Sequence, residues 1–192
     1  MKNNRTLYLM MALLLTLGLG ACQSDYSKML NEEMAKGVRN DSLFFGIHFQ
    51  QAKRDFYELC WKKNQEGLFT AGSRGNYVQY NLPPDSIHSE KIEMFFYPQF
   101  DSNEQITGMD LEYRYAAWAP WNKALYAPEL LPRIKDTLMA WYGGNDFIAV
   151  EGEQPQETIW VKVDGNRRIA IKTKDDEIVR VKMTDLTTTI DD

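Results

Sequence analysis

Alternating apolar and polar residues, the pattern of β-strands with one solvated face, occur in two separate runs and constrain the fold most. The first run comprises residues 77–82, 91–100 and 107–116, and the second comprises residues 147–150, 158–163, 168–173 and 178–183. Within the second run, Asp164-Gly165-Asn166 separates two strands and is typical of a β-hairpin. Each run therefore predicts consecutive antiparallel strands.

A predicted amphipathic helix precedes each run of strands. Residues 49–64 carry apolar side chains at helical spacing, and Gly67 lies just beyond them. The second helix ends at Tyr142, and Pro132 is expected in its first turn, where proline is tolerated. This order predicts an α+β fold of two helix-plus-antiparallel-meander units, with the helices packed on one face of the antiparallel sheet.

The first 21 residues have the layout of a secretory signal. Lys2 and Arg5 supply positive charge, residues 7–19 are almost all apolar, and two small residues follow. The apolar run is shorter than the stretch of about 20 residues that a transmembrane helix needs. The segment is therefore expected to direct export.

The end of this segment, Leu19-Gly20-Ala21-Cys22, resembles the lipobox of bacterial lipoproteins. The resemblance implies that Cys22 carries lipid, becomes the mature N-terminus and fixes the chain to a membrane. A plain secretory signal with a chance cysteine is the alternative. Asp25 does not directly follow Cys22, where an aspartate resembles an inner-membrane retention signal, so the outer membrane is favoured, with the leaflet undecided.

The chain divides into four segments by sequence pattern. These are the signal peptide at 1–21, a lipidated N-terminus and tether helix at 22–42, an α+β domain at 43–186 and a polar tail at 187–192. The order of elements groups 43–118 and 119–186 as two similar halves, although no residue-level identity between them supports a duplication. The helix expected at 26–36 either docks on the domain or remains a mobile tether.

Composition indicates a folded, acidic domain. Hydrophobic residues make up 44% of the chain, which is enough for a core. Removing residues 1–21, which hold two basic and no acidic residues, takes the net charge from −5 to −7. An acidic domain has no general attraction to nucleic acid, so no nucleic-acid partner is expected.

Sequence motifs for catalysis, metal binding or cofactor binding were not found. His48 and His88 have no second ligand at metal spacing, and no serine or cysteine nucleophile motif occurs. Cys60 has no disulfide partner if Cys22 carries lipid, and it is expected to be buried and inert. No catalytic residue, metal or cofactor is therefore predicted, although a glycosidase-type carboxylate pair needs no local motif.

Two surfaces are candidates for binding. Trp118 and Trp121 lie in a proline-containing loop, where they either plug the core or anchor a ligand. The last meander is expected to carry a basic face, opposite its apolar face, formed by Trp160, Lys162, Arg168, Lys172, Arg180 and Lys182. This face is either ordinary solvated surface or a docking face for an acidic protein or polymer.

The sequence therefore favours a membrane-anchored envelope lipoprotein that acts as a non-catalytic binding or assembly module. Two alternatives remain open. One is a carboxylate-dependent hydrolase of envelope or extracellular polymers, and the other is a structural subunit of an envelope complex.

The lipobox resemblance leads to a prediction about Cys22. In a background in which Cys60 is replaced by serine, we expect the chain with Cys22 to incorporate radiolabelled palmitate in a bacterial host. The Cys22→Ser variant should incorporate none, because the acceptor thiol is gone. Label on the Cys22→Ser variant would show that lipid attaches elsewhere.

Overall fold

The computed structural model describes residues 24–72, 76–84, 90–152, 154 and 157–188. The expected signal peptide, the expected lipidation site Cys22 and the histidine His88 lie outside the described residues, as does most of the expected polar tail. The fold is mixed α+β, as predicted, with three α-helices and one antiparallel sheet of eight strands in the described residues.

The helices and strands follow one another in an order close to the predicted one. The helices are α1 (Asp25–Ala35), α2 (Lys53–Gln65) and α3 (Ala127–Tyr142), with a 3-10 turn at Lys123–Leu125 before α3. The strands are β1 (Thr70–Ala71), β2 (Val78–Asn81), β3 (Ile92–Phe100), β4 (Ile106–Tyr115), β5 (Ile148–Glu151), β6 (Thr158–Asp164), β7 (Arg167–Thr173) and β8 (Val179–Asp185). Among the described residues, none of the helices combines the length and the apolar character needed to cross a lipid bilayer.

All eight strands belong to one continuous sheet in the order β1-β2-β3-β4-β8-β7-β6-β5. Strands β1 to β4 form one meander, strands β5 to β8 form another, and the last strands of the two meanders pair with each other. In that pairing, residues 108–113 of β4 run antiparallel to residues 179–184 of β8. The strands β4 and β8 therefore lie at the centre of the sheet, and β1 and β5 form its edges.

Helix α3 covers one face of the sheet, which we call the inner face. Leu130, Ile134 and Leu138 recur at helical spacing along α3, and each is fully buried. The inner face of the sheet contributes the buried side chains Met94, Phe96, Met109, Leu111, Tyr113, Ile169, Ile171, Val179, Val181 and Met183. Burying each large apolar side chain stabilises the fold by about 1.5–3 kcal/mol, so this layer is the main core.

Helix α1 contacts the opposite, outer face of the sheet, so the expectation that the helices pack on one face is not confirmed. Arg168, whose side chain points to the outer face, donates a hydrogen bond of 3.2 Å to the Tyr26 hydroxyl of α1. At the other end of α1, Glu33 accepts a hydrogen bond of 3.0 Å from the backbone N–H of Gly165. The helix is therefore docked on the domain.

Helix α2 begins at Lys53, four residues later than predicted, because the preceding backbone turns twice. Phe45 and Gln50 have φ values of 53° and 63°, in the left-handed region that a right-handed helix cannot use. Phe49 is buried from this turning segment and not from the helix. The apolar residues of this segment have helical spacing, so the sequence pattern predicted helix where the structure has two turns.

Pro132 lies in the second turn of α3, so its predicted place in the first turn is wrong. The helix begins at Ala127, and Pro128 takes the early position that tolerates a missing N–H. Tyr126 occupies the N-cap position without a side-chain capping hydrogen bond. The sequence therefore carried no capping signal for this start.

The loop of the β6–β7 hairpin determines which side chains of β6 share a face with those of β7. The loop has two residues, Gly165-Asn166, and Gly165 has φ 56°, as a type II′ turn requires at its first position. In the resulting register, Lys162 pairs with Ile169 and Trp160 pairs with Ile171. Cross-strand partners project from the same face, so Trp160 and Lys162 lie on the inner face.

Glu33 is a buried charge that joins α1 to this hairpin. Its carboxylate accepts hydrogen bonds from the Gly165 N–H and from Asn145, and it pairs with Lys36. Burial alone would raise the pKa of Glu33. The hydrogen bonds have the larger combined effect in the opposite direction, so the pKa falls from 4.5 to about 2. The ionised carboxylate therefore stabilises the docked helix.

We expect Glu33→Gln to lower the free energy of unfolding by about 1–3 kcal/mol at neutral pH, measured by urea unfolding. The pKa of Glu33 is depressed in the folded state, so its contribution is complete above 4.5 and is lost as the pH falls towards 2. The difference in free energy of unfolding between wild type and variant should therefore be smaller at about pH 3 than at neutral pH.

The control for this prediction is Glu32→Gln, which removes a carboxylate from the adjacent, exposed position of α1. It should leave stability nearly unchanged, because surface substitutions away from special contacts alter it by only about 0.5 kcal/mol. A loss for Glu33→Gln that is the same at all pH values would contradict the role of its charge.

Candidate functional site

Four residues of the predicted basic face lie on the outer face of the sheet, among acidic side chains; they are Arg168, Lys172, Arg180 and Lys182. Lys172 Nζ lies 2.7 Å from Glu157 Oε1. Lys182 stands directly across from Asp110 in the register of β8 and β4. Alternating charges along neighbouring strands neutralise one another, so these lysines form no continuous positive patch.

Glu112 is the centre of this pairing. Its side chain is only 8% exposed and lies 2.8 Å from Lys174 Nζ and 3.2 Å from Arg180 Nη2. Burial alone would raise the pKa of Glu112. Its hydrogen bonds with the two cations outweigh this effect, so the pKa lies below its ordinary value. Arg180 is thus engaged within the domain, which weakens the case for an acidic docking partner.

Trp160 and Lys162 do not belong to the outer face, so the prediction that grouped them with the basic face is wrong. Lys162 is fully buried, pairs with Asp164 at 3.1 Å and donates to the carbonyl of Gly143 at the end of α3. Lys135 of α3 lies 3.4 Å above the Trp160 ring. Both side chains therefore secure α3 to the sheet.

The two tryptophans of the proline-containing loop have different environments. Trp118 is partly buried against the core, and its ring lies 6.0 Å from that of Tyr126. Trp121 is 86% exposed. The loop therefore combines both alternatives, with Trp118 packed as a plug and Trp121 left as a candidate surface contact.

Metal and thiol chemistry have little support in the described part of the chain. No group of three or more His, Cys, Asp or Glu side chains there is arranged to hold a metal ion. Cys60 is half-buried, and burial raises the pKa of its thiol to about 12. Because the thiolate is the reactive form, Cys60 is a poor nucleophile at neutral pH.

A cleft of about 730 Å³ opens between α3, the turn at residues 43–45 and the inner face of β2 and β3, and we call it the aromatic cleft. Its aromatic lining residues are Phe44, Phe45, Tyr80, Trp141 and Tyr142. Its polar lining residues are Glu90, Arg133, Asp136 and Thr137. An apolar cleft of this size with a few polar groups is the usual form of a small-molecule site.

Phe45 is the hub of the aromatic cleft. Its ring centroid lies 4.6 Å from that of Tyr80 and 6.4 Å from that of Trp141. Phe45 and Gly46 have consecutive positive φ values of 53° and 90°. The backbone N–H of Ile47 closes the turn by donating a hydrogen bond of 2.8 Å to the carbonyl of Phe44. Such turns favour Asn and Gly at the position of Phe45.

The backbone at Phe45 is therefore strained by about 1–2 kcal/mol. The ring is only partly buried, so the burial that it gains is incomplete. Strained residues of this kind cluster at functional sites, where the surrounding structure holds them in place. The strain and the partial exposure together identify the aromatic cleft as the candidate functional site.

Helix α3 supplies the opposite wall of the cleft. Trp141 is 38% exposed there, and Asp136 is exposed one and a half turns before it. Arg133 places its guanidinium 5.5 Å from the centre of the Tyr115 ring and donates to the Tyr115 hydroxyl at 3.1 Å. The positive group of this wall is thus directed at Tyr115.

Sequence reasoning missed this site. Phe45 belonged to an apolar run, Tyr80 to the inward side of a strand, and Trp141 to the stripe of a helix. Each pattern is typical of core residues. The available signal was Phe45-Gly46, a turn-forming glycine inside an apolar run.

The pairing around Glu112 leads to a prediction for Arg180→Glu. We expect this reversal to lower the free energy of unfolding by about 1 kcal/mol or more, because it places a second negative charge beside a nearly buried carboxylate. Lys123→Glu is the matched reversal at an exposed position and should have little effect. Equal urea midpoints for the two variants would contradict the pairing.

Comparisons with known proteins leave the family of this chain open. No family model matches it, and no curated protein matches it. Among solved structures it is similar to a DUF4309 family protein (YjgB) from Bacillus subtilis, with 12% sequence identity and a TM-score of 0.34. The match covers 82% of this chain and 94% of that chain, but a similarity this distant carries no argument about fold or function.

Proposed function

We propose that this chain is an exported, lipid-anchored protein of the outer membrane whose α+β domain is a non-catalytic binding module. Its binding site is the aromatic cleft. The observation that carries this proposal is Phe45, a partly exposed ring held on a left-handed backbone in the wall of the cleft. A fold that needed only a core would relieve this strain with Asn or Gly.

The anchoring part of the proposal rests on the resemblance of Leu19-Gly20-Ala21-Cys22 to a lipobox. Helix α1 begins at Asp25, three residues after Cys22, and it is docked on the sheet. A chain spans at most about 3.6 Å per residue, so lipid on Cys22 would hold the domain close to the membrane surface.

The proposed architecture has two helix-plus-meander units, at 43–118 and 119–186. The order of strands supports it, because each meander is continuous in the sheet and the two meet through their last strands. Helices α2 and α3 each precede one meander in the sequence. The cleft lies where the turn of the first unit approaches the helix of the second.

An acidic protein or polymer bound at the outer face is a weaker second candidate. Lys172 and Arg180 are paired with Glu157 and Glu112, so such a partner would have to displace interactions within the domain. The aromatic cleft, in contrast, is an open space of about 730 Å³.

We expect the neutral fluorescent probe N-phenylnaphthylamine to bind the full-length chain and to bind the Trp141→Ala variant at least about fivefold more weakly. The reason is that the indole supplies apolar contact worth about 1 kcal/mol or more. Fluorescence titration measures both affinities. Circular dichroism confirms that the variant is folded.

Trp121→Ala is the matched control, because it makes the same change at a tryptophan that is exposed and does not line the cleft. Its affinity for the probe should equal that of the wild type. Equal affinities for all three proteins would show that the aromatic cleft is not the binding site.

A further inference from the structure

We propose that the aromatic cleft selects a small organic cation, a substituted ammonium group with apolar substituents. This inference rests on the proposed function, since it names the ligand class for the same cleft. It follows from the aromatic faces that the cleft presents, from the charges beside them and from the size of the space.

Three aromatic rings that line the cleft, those of Phe45, Tyr80 and Trp141, are available to a ligand there. Within the described residues, no lysine or arginine stacks on Phe45, Tyr80 or Trp141. Tyr142 differs, because Arg167 lies 4.3 Å from the centre of its ring. The face of an aromatic ring carries negative electrostatic potential and attracts cations, most strongly where water is partly excluded.

The charges at the cleft add to this attraction. Glu90 and Asp136 both line the cleft, and Asp136 is exposed to an incoming ligand. Arg133 also lines it, but its guanidinium is placed over Tyr115, which it also meets through a hydrogen bond of 3.1 Å. The exposed carboxylate of Asp136 beside the aromatic rings favours a cation and disfavours an anion of the same shape.

The net charge of the chain, −5, acts in the same direction over longer distances, because an acidic protein attracts cationic ligands. The domain also uses the same contact internally. Lys135 Nζ of α3 lies 3.4 Å from the centre of the Trp160 ring. A cation over a ring is therefore an arrangement that this core already contains.

The volume of the cleft leaves room for a ligand much larger than a bare ammonium ion. A space of about 730 Å³ suits a ligand with several carbon substituents around its charge. Such substituents also weaken the hydration of the charge and bury apolar area against Phe45 and Trp141. The two effects together favour alkylated or aryl-substituted ammonium groups.

The test compares choline with its neutral isostere, in which a quaternary carbon replaces the ammonium nitrogen, and with the anion tert-butylacetate. Isothermal titration of the full-length chain should give at least about tenfold tighter binding for choline than for the neutral isostere. The anion should bind most weakly. Salt should weaken the binding of choline and leave that of the neutral isostere unchanged.

Variants separate the contributions of charge and ring. Asp136→Asn should weaken choline severalfold without changing the neutral isostere, whereas Trp141→Ala should weaken both. Asp146→Asn is the matched control, because Asp146 is exposed and does not line the cleft.

Equal affinity for choline and its isostere, or no binding of choline, overturns the inference. If N-phenylnaphthylamine binding still depends on Trp141 in that case, the cleft is a site for uncharged apolar ligands and the proposed function stands. If neither probe binds at the cleft, both proposals fail.

Discussion

The pairing of β4 with β8 is the interaction on which the rest of the structure depends. It joins two meanders that would otherwise each present an open strand edge. Its register places Leu111 across from Val181 and Met109 across from Met183, and all four side chains are fully buried. The two halves of the sheet therefore share one core, and the position of every other element is set relative to these two strands.

The alternation of residues predicted the strands well but could not determine how β6 joins the sheet. The side-chain period of a strand is two, so a one-residue change in loop length moves a whole strand to the other face. A three-residue loop would have placed Lys162 outside. The observed two-residue loop buries it beneath α3, with Asp164 and the Gly143 carbonyl as partners.

The cleft could not be predicted from the sequence for a related reason, because the backbone conformation of Phe45 depends on contacts made after the chain has folded.

Buried polar groups make the N-terminal segment part of the domain. Asn166 of the hairpin loop donates to Asp185 at 3.0 Å, and Asp185 is fully buried at the end of β8. Burial alone would raise the pKa of Asp185. Hydrogen bonds, including those from Thr187 and Asn166, outweigh this effect, so the pKa lies below its ordinary value. Glu33 binds the same loop from α1. The described N-terminal segment is therefore fixed to the loop of the β6–β7 hairpin and to the end of β8 through buried hydrogen bonds.

The aromatic cleft lies where two separate covers of the inner face meet. Helix α3 covers β4, β7 and β8, whereas the turn that carries Phe44 packs on Phe96 of β3, with ring centroids 4.9 Å apart. The helix thus lies over the β4–β8 pairing, and the turn lies beside it, over the neighbouring strand β3. A wall made of one helix could close this gap with larger side chains. Here the strained turn at Phe45 presents a ring to this gap, so the proposed binding site lies over β2 and β3, beside the edge of α3.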